Sequence, residues 1–132
     1  MTGVQTCALP IFEDPDTYDK GFLHCDILII GAGPAGLQAA LTAARAGARV
    51  ILADEDFLMG GRLNAETYDI ADQPAANWAA TAVTELATMP NVRLLTRTTI
   101  LGAFDHGIYS AVERVSDHLP EPLPDKDRKS VV

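Results

Sequence analysis

A chain of 132 residues has room for one small domain core. Its 18 Asp and Glu against 10 Lys and Arg leave a net charge of −8 with no basic cluster, which argues against nucleic acid and anionic membrane as partners. No run approaches the ~18 apolar residues that span a bilayer, and two cysteines, Cys7 and Cys25, provide neither a disulfide framework nor metal-ligand spacing.

The opening stretch MTGVQTCALPI, residues 1–11, lacks the positive n-region and apolar run of a secretory signal. It also lacks the Arg-rich amphipathic pattern of a mitochondrial presequence. Back-translated from a GTG start, it resembles a common short-read sequencing adapter. The closing DRKSVV, residues 127–132, back-translates to the reverse complement of the partner adapter. We expect residues 1–11 to be disordered adapter read-through, 127–132 to share that origin, and 12–126 to be an internal piece of a longer gene. The alternative is two ordinary disordered termini, and the codons of the two ends decide between them. On this reading Cys7 leaves the redox argument. Cys25 remains as a small residue ahead of a strand, compatible with a reducing, cytoplasmic setting.

Residues 12–25 are polar, broken by Pro15 and Gly21, and predict a lead-in linker whose acids form a solvated run. CDILII, ending at Ile30, predicts a short strand buried on both faces. LQAALTAARAG predicts a helix stopped by Gly47, and ARVILA, ending at Ala53, predicts a second buried strand. Strand, helix and strand in that order form a right-handed βαβ unit. Residues 57–73 predict a loop with paired glycines. PAANWAATAVTELATM predicts a helix with Pro74 near its start and Trp78, Val83 and Leu86 on one face, Trp78 as a core anchor. NVRLL predicts a third strand of the same kind. TTILGAF and IYSAVERV around DHG predict a β-hairpin. Residues 119–126 predict a Pro-rich loop. The fold class is therefore α/β: an incomplete Rossmann-like domain over residues 26–118, a parallel sheet with a β-hairpin insert.

GAGPAG carries the chemistry. Gly31, Gly33 and Gly36 form G-x-G-x-x-G directly after a strand and opening a helix. Gly31 allows a sharp turn, Gly33 lets the backbone approach a pyrophosphate, and Gly36 lets helix and strand pack closely. The helix N-terminus, with Pro34 and Ala35 in its first turn, offers free N–H groups and a favourable dipole to phosphates. Asp54 stands 23 positions after Gly31, at the end of the second strand, where an acid accepts hydrogen bonds from a ribose diol. Glu55 is placed to share that role. No Arg follows at once to receive a 2′-phosphate, which disfavours NADP. Gly61 and Arg62 belong either to a loop closing over a cofactor, with Arg62 near phosphate or substrate, or to a flexible loop with a solvated Arg. His24, His106 and His118 lack the spacing of a metal site and suit surface or turn roles. The alternative to nucleotide binding is a βαβ unit whose glycines serve packing alone.

ILIIGAGPAGLQAALTAARAGARVILADE resembles the first dinucleotide-binding half of the two-dinucleotide-binding flavoproteins, which include thioredoxin-reductase-like and glutathione-reductase-like enzymes. With HCDILII, GGRL, ATAVTELATMPNVRLLTRTTILGAFDHG and AVERVSDHLPEP, the chain from about Tyr18 to Pro124 resembles the alpha subunits of heterotetrameric sarcosine oxidases. That resemblance implies an NAD-binding domain in which Gly31, Gly33, Gly36 and Asp54 serve the cofactor. It implies other subunits as partners, beta in particular, with the sarcosine-oxidising flavin on beta and FMN at the alpha–beta interface. The implied reaction is oxidative demethylation of sarcosine to glycine and hydrogen peroxide, with the one-carbon unit passed to tetrahydrofolate. It assigns no catalytic residue and no metal to this segment. The later strand, the A-T-G-like turn and the folate-binding region of such subunits are absent. We therefore expect the segment to be inactive alone, to leave sheet edges and apolar faces uncovered, and to be poorly soluble. FAD in the same site of a general FAD-dependent pyridine-nucleotide oxidoreductase is the alternative within enzymes. A non-catalytic nucleotide-binding module is the alternative outside them.

Overall fold

The computed structural model describes residues 18–115, 119–120 and 128–131. The expectations for residues 1–11, for most of the Pro-rich loop and for His118 lie outside the described residues. β1 (Tyr18–Gly21) precedes β2 (Ile27–Ile30), α1 (Pro34–Arg45) and β3 (Val50–Ala53). A one-turn 3-10 helix at Gly61–Asn64 and two short strands, β4 (Asp69–Ile70) and β5 (Gln73–Pro74), lead to α2 (Ala75–Thr88). β6 (Val92–Leu95), β7 (Thr98–Phe104), β8 (Ile108–Arg114) and β9 (Arg128–Val131) complete the order.

β2, β3 and β6 form a parallel sheet in the order β2-β3-β6, with Ile27 opposite Val50 and Val50 opposite Val92. The first βαβ unit is thus the one expected. α1 buries Leu37, Ala40, Leu41 and Ala44, an i, i+3, i+4, i+7 stripe. α2 buries Ala75, Ala79, Ala82 and Leu86, with Trp78 and Val83 packed at the rim of the same core. The small alanines on both stripes let the two helices approach each other and the sheet closely. Met59 and Leu63, from the loop after β3, close the end of this core. α1 ends at Arg45, and Gly47, at φ +90, turns the chain toward β3. Asn91 then ties the helix end to the third strand, donating from Nδ2 to the carbonyls of Ala44 (3.0 Å) and Ala48 (2.7 Å).

Strand burial corrects one expectation. Of the three parallel strands only β3 is buried along its whole length. In β2, Ile27 is 41% and Ile30 60% exposed, and β6 exposes Arg93. β3 is central, whereas β2 and β6 are edges, and the helical layer covers one face of the sheet. Apolar runs of equal hydrophobicity therefore end at different depths.

β7 and β8 form the expected antiparallel hairpin around Asp105–Gly107, with a bulge between Ile100 and Gly102. His106 occupies the turn at φ +65, and Gly107 follows at φ +70. The hairpin extends into a sheet ordered β1-β9-β8-β7. The lead-in is therefore not wholly a linker, since Tyr18–Gly21 is a strand, and Arg128–Val131 pairs with both β1 and β8. Ladder bonds use backbone groups, so an open edge such as that of β8 accepts an extended segment with little regard to its side chains. Residues 57–73 likewise hold more order than a plain loop, in the 3-10 turn and the β4–β5 pair. A cleft of about 730 Å³ lies between the uncovered sheet face (Leu28, Ile51, Leu95) and the hairpin (Ile100, Ile108, Ala111). No helix among the described residues is long and apolar enough to cross a membrane.

Candidate nucleotide-binding site

The site is built where β2 and β3 end. Gly31 leaves β2 at φ +99, a conformation costly for any residue with a Cβ, and its N–H donates to the Ala53 carbonyl at 2.8 Å. Gly33 is the N-cap of α1 and Pro34 its first residue. The first helical bond runs from the Leu37 N–H to the Gly33 carbonyl, so the amides of Ala35 and Gly36 precede the ladder. No acid stands in this first turn to oppose an anion. A Cβ on Gly36 would lie 1.8 Å from the Gly31 carbonyl oxygen and 3.5 Å from Ile29 Cγ2. Close approach of helix and strand thus requires glycine there. A Cβ on Gly33 would meet nothing within 4 Å. The two glycines differ in kind: Gly36 is demanded by the fold, whereas the space over Gly33 is open. That space, at a helix N-terminus, fits a pyrophosphate group of a dinucleotide, with the Ala35 and Gly36 amides as donors.

Asp54 ends the second strand as expected, and its carboxylate is held by the loop. Oδ2 accepts from the Ala32 N–H at 2.6 Å, and Oδ1 accepts from the Asp56 N–H at 2.8 Å. A carboxylate has about four lone-pair sites, so two remain for a ribose diol. Asp54 therefore ties the glycine loop to the end of β3. Glu55 is exposed, and its backbone carbonyl accepts from Arg114 Nη2 at 2.6 Å.

The Gly60-Gly61 turn is brought to the glycine loop. The Gly60 N–H donates to the Ala32 carbonyl at 2.8 Å, and a Cβ on Gly61 would stand 3.2 Å from Gly33 Cα. Arg62 follows on the outside, 89% exposed, with Nη2 3.0 Å from Glu66 Oε1. The turn lies against the glycine loop, while the Arg62 side chain is held by Glu66 in solvent.

Further residues at this end were not foreseen. The Thr98 N–H donates to the Asp54 carbonyl (2.9 Å) and the Arg97 N–H to the Asp56 carbonyl (3.0 Å). The Arg97 guanidinium stands 5.7 Å from the centroid of the Phe57 ring. No local pattern announces these contacts; the pairing of β6 beside β3 creates them.

The charged cluster at the opposite end of the sheet is structural. Arg49 grips Asp26 with Nη2 on Oδ1 (2.7 Å), Nε on Oδ2 (3.1 Å) and its own N–H on Oδ2 (2.9 Å). Those bonds hold the Asp26 carboxyl down to about 2. Burial, and next the Asp26 charge, raises the pKa of the neighbouring Cys25 thiol, which disfavours the nucleophilic thiolate. Among the described residues no three His, Cys, Asp or Glu come together to hold a metal ion.

Residues 26–114 match the family model for FAD dependent oxidoreductases. The chain is similar to sarcosine oxidase subunit alpha of Rhizobium meliloti (strain 1021), 55% identical over 109 residues, covering 83% of this chain and 11% of the relative. It is similar to sarcosine oxidase subunit alpha of Corynebacterium sp. (strain P-1), 46% identical over 110 residues, with coverage of 83% and 11%. The chain thus spans about 11% of the length of these curated relatives. Among solved structures, L-proline dehydrogenase from P. horikoshii superposes with a TM-score of 0.63 at 21% identity, covering 88% of this chain and 22% of that one. This last likeness is one of fold alone.

Proposed function

The chain belongs to the FAD dependent oxidoreductase family, and from that premise we propose that it is the dinucleotide-binding part of an oxidoreductase of the sarcosine oxidase alpha type. The observation that carries this reading is the open space over Gly33 at the N-terminus of α1, in a loop whose Ala32 N–H is held by Asp54. The amides of Ala35 and Gly36 hold the pyrophosphate, Asp54 takes the adenosine ribose, and Gly61 walls the loop opposite Gly33. Asp54 disfavours a 2′-phosphate by like charge, so the cofactor is unphosphorylated there.

The resemblance to sarcosine oxidase alpha subunits favours NAD in this site. A bound NAD supplies hydride-accepting chemistry to the assembly, and this chain's residues bind and orient it. The whole protein, with a beta subunit and in the cytoplasm, would oxidatively demethylate sarcosine to glycine with a folate as one-carbon acceptor. The groups acting on sarcosine lie outside this chain. FAD in the same glycine site is the second reading, favoured by the family model matched over residues 26–114.

Nucleotide extraction from the intact protein that carries this chain, followed by titration of the stripped protein with NAD and FAD, separates the readings. Extracted or rebound NAD supports the first and FAD the second; binding of neither overturns dinucleotide binding. Reduction of the bound cofactor by sarcosine in the whole complex would rule out a purely structural nucleotide.

A further inference from the structure

Phe57 is 69% and Leu58 55% exposed, directly after the acidic end of β3. Burying such side chains is favourable, so leaving both in water forgoes that stabilisation. Arg97 reaches over the Phe57 ring at 5.7 Å from its centroid, which keeps the guanidinium from spreading freely into solvent. Arg97 also has φ +51, an uncommon and costly backbone state for a residue with a Cβ. That backbone is fixed by its N–H on the Asp56 carbonyl and by its carbonyl accepting from the Arg114 N–H at 2.9 Å. An exposed aromatic three residues beyond Asp54 and a planar cation from the β6–β7 connection are thus held together.

Three extended residues span at most ~10 Å, so the pair lies within an adenosine's reach of a ribose seated on Asp54. The acids Asp54, Glu55 and Asp56 beside it repel a further phosphate but not a neutral base. We propose that Phe57 and Arg97 form the stacking platform for the adenine ring of the dinucleotide. This rests on the nucleotide-binding reading above and adds to it the residues that recognise the base. Planar π-faces and guanidinium planes both stack on adenine, and the two together suit NAD and FAD equally, since the adenosine end is common to both.

The test uses the intact protein stripped of nucleotide, with ADP, fluorescent etheno-ADP and inorganic pyrophosphate as probes. Phe57→Ala and Arg97→Gly should each weaken ADP binding about tenfold, the loss of one stacked base contact. They should also open bound etheno-ADP to collisional quenching. Pyrophosphate affinity should stay unchanged in both variants, and Arg97→Lys should retain part of the ADP affinity. The exposure of Phe57 and the tolerance of glycine for φ +51 keep both variants folded, which a thermal melt verifies. Unchanged ADP affinity with intact pyrophosphate binding overturns the platform alone. Parallel weakening of ADP and pyrophosphate also overturns it, because a general disturbance of the loop is then responsible. If the unaltered protein binds neither probe, the nucleotide-binding reading itself fails and the platform with it.

Discussion

Gly33 and Gly36 belong to one motif and separate cleanly by experiment. Gly36→Ala forces a Cβ to 1.8 Å from the Gly31 carbonyl, and backbone must move to relieve it. We expect destabilisation of about 1–3 kcal/mol, the usual cost of overpacking, together with loss of nucleotide binding. Denaturant titration and a binding isotherm check both. Gly33→Ala meets nothing within 4 Å, so its melting temperature should hold while nucleotide affinity falls at least tenfold. A Gly33→Ala variant that binds normally would show that nothing approaches that loop. Asp54→Ala should lower both quantities, because it removes the proposed ribose acceptor and leaves the Ala32 and Asp56 amides without their carboxylate. The loop part of that loss is about 1–3 kcal/mol. Arg62→Ala, by contrast, removes an exposed i, i+4 pair and should change stability by less than 0.5 kcal/mol, about the value of such pairs on helices.

The helices were legible in the sequence because each carries its own stripe. Leu37, Leu41 and Leu86 fall on buried faces at helical spacing, and Pro34 and Gly47 mark the ends of the first helix. Leu86→Ala, at a fully buried position, should cost about 2–5 kcal/mol in denaturant titration. The strands were legible as elements but not in depth: nothing within CDILII distinguishes an edge from a centre. The start of β2 also carries a pH signature. Arg49 lowers the Asp26 carboxyl from 3.8 to about 2, so the folded state releases that proton more readily than the unfolded one. The stabilisation is fully present above about pH 4 and fades as pH falls through 2. Melts of the wild type and Asp26→Asn should therefore differ at neutral pH and converge toward pH 2. A constant gap across that range would place the effect elsewhere.

At the scale of the molecule, the open edge of β2, the exposed Ile27 and Ile30 and the cleft beneath the hairpin leave apolar surface without cover among the described residues. We expect the 132-residue chain, produced alone, to self-associate and to bind a hydrophobic dye strongly, as measured by light scattering and dye fluorescence. A monodisperse chain with a cooperative, reversible melt would contradict this. The sequence by itself determined the βαβ unit, the glycine turn and the acid at the end of the second strand. Those requirements are local, arising from backbone freedom, helix capping and strand hydrophobicity within one continuous stretch. Only the tertiary structure decided that Gly61 would lie against Gly33, that Asp54 would clasp the Ala32 amide, and that Arg97 would reach Phe57. These contacts depend on which strands become neighbours and in what register. That choice is made by burial of the shared core, and periodicity within any one segment does not record it.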